Sequence, residues 1–127
     1  MHEKLKKSEP IQYIIGETEF FGLSFKVDNS VLIPRPETEE LLEWILQEND
    51  SSSTLQILDI GTGSGCIAIG LKSVMPNAKL TGFDISEPAL GIARQNATLN
   101  NLDINFEKTD ILSIPEFNRK WDIIVSN

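Results

Sequence analysis

Three observations predict an α/β fold with a partial parallel sheet and an N-terminal β-hairpin. Apolar runs of strand length alternate with helix-period segments from residue 55 to residue 125. The first of these strands, Leu55-Gln56-Ile57-Leu58-Asp59-Ile60, breaks into Gly61-Thr62-Gly63-Ser64-Gly65 and resumes as the small, apolar segment Cys66-Ile67-Ala68-Ile69. Asp59 near its end is matched by Asp84 at the end of the next strand. A strand, a glycine turn and a helix start are the usual way an α/β sheet builds a nucleotide pocket.

Taken in order, residues 1–10 read as a linker: three lysines, two glutamates, a serine and Pro10 offer little to pack. From Ile11 to Val27 the pattern is β-like, and Gly22 marks a hairpin or a bent strand. Val31-Leu32-Ile33-Pro34-Arg35-Pro36 is an apolar run stiffened by two prolines, which closes a hairpin-and-proline-loop unit over residues 11–35. A helix is predicted from Pro36, with Glu37, Glu39 and Glu40 complementing its dipole and Leu41, Leu42, Ile45 and Leu46 forming its apolar face. After the glycine turn, a helix closes at Met75-Pro76-Asn77, and Lys79–Asp84 forms a second strand. Ser86 caps a helix with Leu90, Ala93 and Ala97 inside. Ile104–Lys108 and Trp121–Val125 supply the third and fourth strands of a catalytic-type unit over residues 36–127. The chain stops at the carboxyl end of that fourth strand, where α/β proteins place ligand chemistry, so it reads as the N-terminal part of a larger domain.

The 127 residues suffice for one domain with a core, and 40% hydrophobic and 24% charged residues are ordinary for a globular chain. No apolar run approaches the ~20 residues of a membrane span, and the charged N-terminus leads into no signal-peptide core. With Cys66 as the sole cysteine there is no internal disulfide, which fits a reducing cytoplasm. A net charge of -8 argues against a broad phosphate-binding face and hence against direct nucleic-acid binding. A small cationic ligand or a basic protein suits that balance better. His2 is the only histidine and lies far from Cys66, so Cys–His catalysis and a metal site are not expected; Cys66 packs.

A dinucleotide turn has the spacing G-x-G-x-x-G, whereas Gly61, Gly63 and Gly65 stand at alternate positions behind Asp59. An acid before G-x-G-x-G is more typical of S-adenosylmethionine methyltransferases. That ligand is cationic and carries no pyrophosphate, so a carboxylate is favourable where a phosphate would be repelled. The alternative is a tight turn without a ligand. Asp84 is placed to accept hydrogen bonds from both ribose hydroxyls; alternatively it is a solvated neighbour of the Ser86 helix.

Beyond these local patterns, the chain resembles the HemK-type peptide chain release factor glutamine methyltransferases. The resemblance is carried by Tyr13-Ile14-Ile15-Gly16, Glu19-Phe20-Phe21-Gly22-Leu23, Val31–Glu39, Ile57–Ala68 and Asp122–Asn127, and runs from Ile11 to the end. Its most discriminating piece is Ile33-Pro34-Arg35-Pro36-Glu37-Thr38-Glu39. It implies a Rossmann-like fold, the cofactor S-adenosyl-L-methionine, and cytoplasmic methylation of the Gln in the Gly-Gly-Gln motif of class I release factors. It implies that Gly61, Thr62, Gly63, Ser64 and Gly65 hold the cofactor with Asp59, that Asp84 binds its ribose, and that Asp110 makes a further contact. Ile111 stands where the family often has a tryptophan. Asn127 matches the first residue of the family's Asn-Pro-Pro-Tyr motif, which grips the substrate glutamine next to the cofactor.

The chemistry of that motif follows from the acceptor. An amide nitrogen is a poor nucleophile because its lone pair is delocalised into the carbonyl. The site must therefore hold the NH2 in line with the methyl group, with hydrogen-bond acceptors on its N–H groups. Asn127 supplies one such acceptor, and the rest of the motif is absent from the chain, so residues 1–127 alone are expected to be inactive. Arg35 either orients a substrate or cofactor group or pairs with the adjacent glutamates. Trp44, Phe106 and Trp121 are assigned to the core, and Glu37, Glu39, Glu40 and Glu43 to a solvated helix face. Competing readings are a ribosomal-protein glutamine or nucleic-acid adenine amino-methyltransferase, a dinucleotide oxidoreductase, and a cofactor-binding fragment without turnover.

Overall fold

A computed structural model of the chain describes residues 16–113 and 120–126. The expected linker over residues 1–10, the residues of the resemblance at 11–15, and Asn127 lie outside them. The described chain opens with β1 (Glu17–Phe20) and β2 (Leu23–Lys26), an antiparallel pair in which Phe20 faces Leu23. Gly22 therefore marks a hairpin rather than a bend. The two-residue turn puts Phe21 at φ 54° and Gly22 at φ 75°, the backbone that matches strand twist in the tightest hairpins.

Helix α1 (Pro36–Glu48) follows the proline loop, with Pro36 in its first turn, where no amide hydrogen is needed. Then come β3 (Gln56–Ile60), α2 (Cys66–Val74), β4 (Lys79–Asp84), α3 (Glu87–Leu99), β5 (Asn105–Lys108), a 3-10 turn at Ile111–Ser113, and β6 (Ile123–Ser126). The Ser86 hydroxyl accepts from the Ala89 amide and caps α3. The four later strands form one parallel sheet in the order β5-β4-β3-β6. The order reverses beside β3: β4 and β5 are added on one side and β6 on the other. That reversal is the topological switch point, where open α/β sheets leave a crevice at their carboxyl ends.

The core lies where α2 and α3 pack on the sheet, and it holds Leu42, Ile57, Ile69, Leu71, Leu90 and Phe106. Helix α1 packs on α2 through a close approach: a Cβ on Gly70 would lie 2.4 Å from Leu42 Cδ2. Two aromatic assignments are corrected. Trp44 lies 62% exposed on the outer side of α1, because the Leu42/Ile45 stripe turns the opposite face inward. Trp121 is half-buried, edge-on to Phe83, while Phe106 is core as expected. Among the described residues no helix is long and apolar enough to cross a membrane.

Candidate functional site

The glycine turn leaves the carboxyl end of β3 and runs into α2 with Gly61, Gly63 and Gly65 at φ 71°, 55° and 84°. Side chains rarely adopt that backbone. Gly65 is further constrained, since a Cβ there would meet Ile69, Ala93 and Phe106 at 3.1–3.3 Å. At Gly61 a Cβ would meet nothing within 4 Å, and at Gly63 only the Gly61 carbonyl at 4.0 Å. The outer half of the turn thus presents bare backbone to open volume, and its inner half is wedged into the core. The amides of Gly61 and Thr62 both donate to the Phe83 carbonyl at 2.9 Å, which straps the turn to β4.

Beneath the turn lies Asp59, only 1% exposed. Its Oδ2 accepts from the Thr62 hydroxyl at 2.8 Å, and Oδ1 has no hydrogen-bond partner among the described residues. Burial pushes this carboxyl up to about 7, against the Thr62 hydroxyl and the Ala68 amide; the Asp84 charge adds to the rise. Asp59 therefore supports the turn from inside through Thr62 and does not line the cavity. Gly82 in β4 makes room for this arrangement, because a Cβ there would lie 2.7 Å from both Thr62 Oγ1 and Phe106 Cδ1. The interior glycine of Lys79–Asp84 is the sequence signal for that close approach.

Asp84 ends β4 at the mouth of the turn. Its Oδ2 accepts from the Gly63 amide at 2.9 Å and its Oδ1 from the Ser86 amide at 3.0 Å. Each oxygen keeps lone-pair capacity for a further donor. Facing it across a cavity of about 240 Å3 is the loop of residues 30–35, with Val31, Ile33 and Arg35 along the wall and Gly61, Thr62, Gly63 and Ser64 along the other side. Among the described residues, Arg35 and Asp84 are the only charged ones lining this cavity. Arg35 makes no ion pair among the described residues, so pairing with the adjacent glutamates is not what the structure shows. Cys66 lines the floor as a free thiol, pushed up to about 12 by burial and then by the Asp59 charge, and so is unreactive near neutral pH.

Two ties that sequence reasoning missed fix the hairpin beside this cavity. Glu39, assigned above to a solvated face, is half-buried and accepts from the Phe21 amide at 2.6 Å. Glu37, Glu40 and Glu43 are exposed as expected. Asn96 on α3 is fully buried and bonds both Lys26 of β2 and Ser64 of the turn. Its place among Leu90, Ala93 and Ala97 on the inner helix face was the available signal, a polar residue where the helical period demands an apolar one.

Asp110 and Ile111 lie on the turn after β5, at the same end of the sheet, where the Thr109 amide donates to the Asp84 carbonyl. Asp110 Oδ1 accepts from the Leu112 amide at 3.0 Å, and neither residue lines the cavity. Asn127 follows Ser126, which pairs with Ile60 just before the glycine turn. A larger open groove of about 460 Å3, lined by Lys26, Arg94, Gln95, Thr98 and Leu99, lies away from the turn and the strand-end acids. No cluster of three metal-ligating side chains occurs among the described residues.

A parallel sheet with its switch point beside a three-glycine turn, a supporting acid beneath the turn and a second acid at its mouth defines a nucleoside-cofactor domain of the methyltransferase kind. The chain belongs to the family described as "Methyltransferase domain", whose pattern matches residues 51–127. Within that family it is similar to release factor glutamine methyltransferases. It is 56% identical to that of Flavobacterium psychrophilum over 98% of this chain and 45% of the relative. It is 50% identical to that of Streptococcus pneumoniae over 100% of this chain and 44% of the relative. The chain thus spans a little under half the length of these relatives. Among solved structures, a ribosomal protein L11 methylase from Lactobacillus delbrueckii subsp. bulgaricus superposes with a TM-score of 0.63 at 29% identity, covering 80% of this chain and 51% of that one.

Proposed function

We propose that the chain is the cofactor-binding part of a cytoplasmic enzyme that transfers a methyl group from S-adenosyl-L-methionine to the side-chain amide of a glutamine in a peptide chain release factor. The observation that carries the cofactor reading is the joined pair of Asp84 and the Gly63 amide beside bare glycine backbone. Bare backbone lets a ligand lie against the turn, and Asp84 keeps acceptor capacity for hydroxyls. The group fits the donor set. A sulfonium cation is favoured by the Asp84 carboxylate at the mouth of the turn, whereas a pyrophosphate would be repelled by it.

Gly61–Gly65 cradle the cofactor, Asp84 takes its ribose hydroxyls, and Arg35 is the cation available to a carboxylate at the other wall. Asp110 and Ile111 stand at the carboxyl edge for a further contact. When bound, S-adenosyl-L-methionine supplies an electrophilic methyl group. Asn127 accepts a hydrogen bond from the substrate amide and so helps hold its nitrogen in line, without a strong base. The release factor as substrate rests on the 56% and 50% identity to enzymes of that name. Likeness to a ribosomal protein L11 methylase favours a ribosomal protein as the second reading. Neither acceptor requires the chain itself to bind nucleic acid.

The test is methyl transfer by a protein carrying this chain, from labelled S-adenosyl-L-methionine to purified release factor and to ribosomal proteins. Label is expected on the release factor and lost when the glutamine of its Gly-Gly-Gln motif is replaced. Label on ribosomal proteins alone would establish the second reading.

A further inference from the structure

Asn96 sits on α3, 0% exposed, and every hydrogen of its side-chain amide is used. Its Oδ1 accepts from the Lys26 amide at 2.6 Å, and its Nδ2 donates to the Lys26 carbonyl at 3.0 Å. The side chain therefore pairs with the β2 backbone as another peptide group would. The remaining hydrogen of Nδ2 goes to the Ser64 carbonyl at 2.9 Å, inside the glycine turn. One buried amide thus joins three separate elements: hairpin, helix and turn.

The Ser64 bond has a consequence for the cavity. The turn's backbone is held at Gly61 and Thr62 by the Phe83 carbonyl on the sheet side, and at Ser64 by Asn96 on the α3 side. Asn96 holds the Ser64–Gly65 peptide by its carbonyl, the Gly65 amide of that peptide donates to the Thr62 carbonyl at 2.8 Å, and the Thr62–Gly63 peptide carries the amide that donates to Asp84. An uncoordinated turn would have to pay that ordering entropy each time a ligand bound. A second asparagine isolates the effect. Asn100, one turn on, donates its Nδ2 to the Ser24 carbonyl and to the main-chain carbonyl of Asn96, and so also ties α3 to β2, but it does not touch the turn.

We propose that Asn96 is a positioning residue for the cofactor site, one that presets the glycine turn and makes the hairpin part of the binding machinery. The proposal rests on the cofactor reading above. Asn96→Asp is nearly isosteric but loses both donors and sets a carboxylate oxygen against the Lys26 and Ser64 carbonyls; Asn96→Ala serves if that variant does not fold. Two readouts are taken well below the unfolding temperature: S-adenosylhomocysteine affinity by calorimetry, and amide hydrogen exchange at Gly63.

A folded Asn96 variant is expected to bind about tenfold or more weakly, as loss of the donor to the buried Ser64 carbonyl implies, and to exchange the Gly63 amide faster. Asn100→Ala is expected to keep both within about twofold even though it lowers stability. Unchanged affinity and exchange in a folded Asn96 variant overturns the proposal, as does an equal loss in Asn100→Ala, which would make hairpin docking in general the cause. Should the unsubstituted chain fail to bind S-adenosylhomocysteine, the cofactor reading falls, and Gly63 exchange alone decides the role of Asn96.

Discussion

Asp59 shows how one side chain can serve a site without lining it. Burial costs the carboxylate its hydration, the Thr62 hydroxyl returns part of that, and the neighbouring Asp84 charge works against ionisation. With the carboxyl near 3.8 in the unfolded chain and about 7 in the folded one, the folded state binds more protons between those values. Stability contributed by this group is therefore greatest below the unfolded value, falls as pH rises toward 7, and is flat above it. Asp59→Asn is expected to remove that slope, measured by urea unfolding at about pH 5 and about pH 8. An unchanged slope in the variant would place the titrating group elsewhere. The acid was legible in the sequence because it precedes the glycines. Its burial was not, because nothing local says that Gly82, on another strand, opens space for Thr62 to reach down to it.

At the scale of elements, the glycine turn has two halves with different demands. Gly61 and Gly63 face open volume, so their glycines serve the ligand and the backbone angle. Gly65 is closed in by Ile69, Ala93 and Phe106 as well as held at φ 84°, so its glycine serves the fold. Gly65→Ala is expected to destabilise the chain by about 1–3 kcal/mol in denaturant unfolding, from the backbone angle and the tight contacts together. A loss below a few tenths of a kcal/mol would mean that the turn relaxes without strain. The strands, the helices and the Ser86 cap could be read in advance because each rests on local period and capping chemistry. The docking of the hairpin could not. It depends on Glu39 and Asn96 meeting backbone 18 and 70 residues away, and no periodicity encodes such pairings. Trp44 was misplaced for a related reason: helical period assigns a face, and residue size alone does not.

Across the whole molecule, the sheet order β5-β4-β3-β6 brings the glycine turn, Asp84, the proline loop and the end of β6 to one edge. Alternating strands and helices implied a parallel sheet, and the acids at strand ends implied the edge that carries chemistry. The pairing of β6 with β3, which creates the switch point, was not written in either pattern. Apolar Leu32, Ile85 and Leu112 stand exposed at that same end. We infer that this edge holds a cationic methyl-donor nucleoside and not a dinucleotide. It is tested most directly by calorimetry of residues 1–127 with S-adenosylhomocysteine and with NAD, alongside Asp84→Ala. Binding of S-adenosylhomocysteine alone, lost in Asp84→Ala, is the expected result. Binding of NAD, or S-adenosylhomocysteine affinity unaffected by the loss of Asp84, would contradict it.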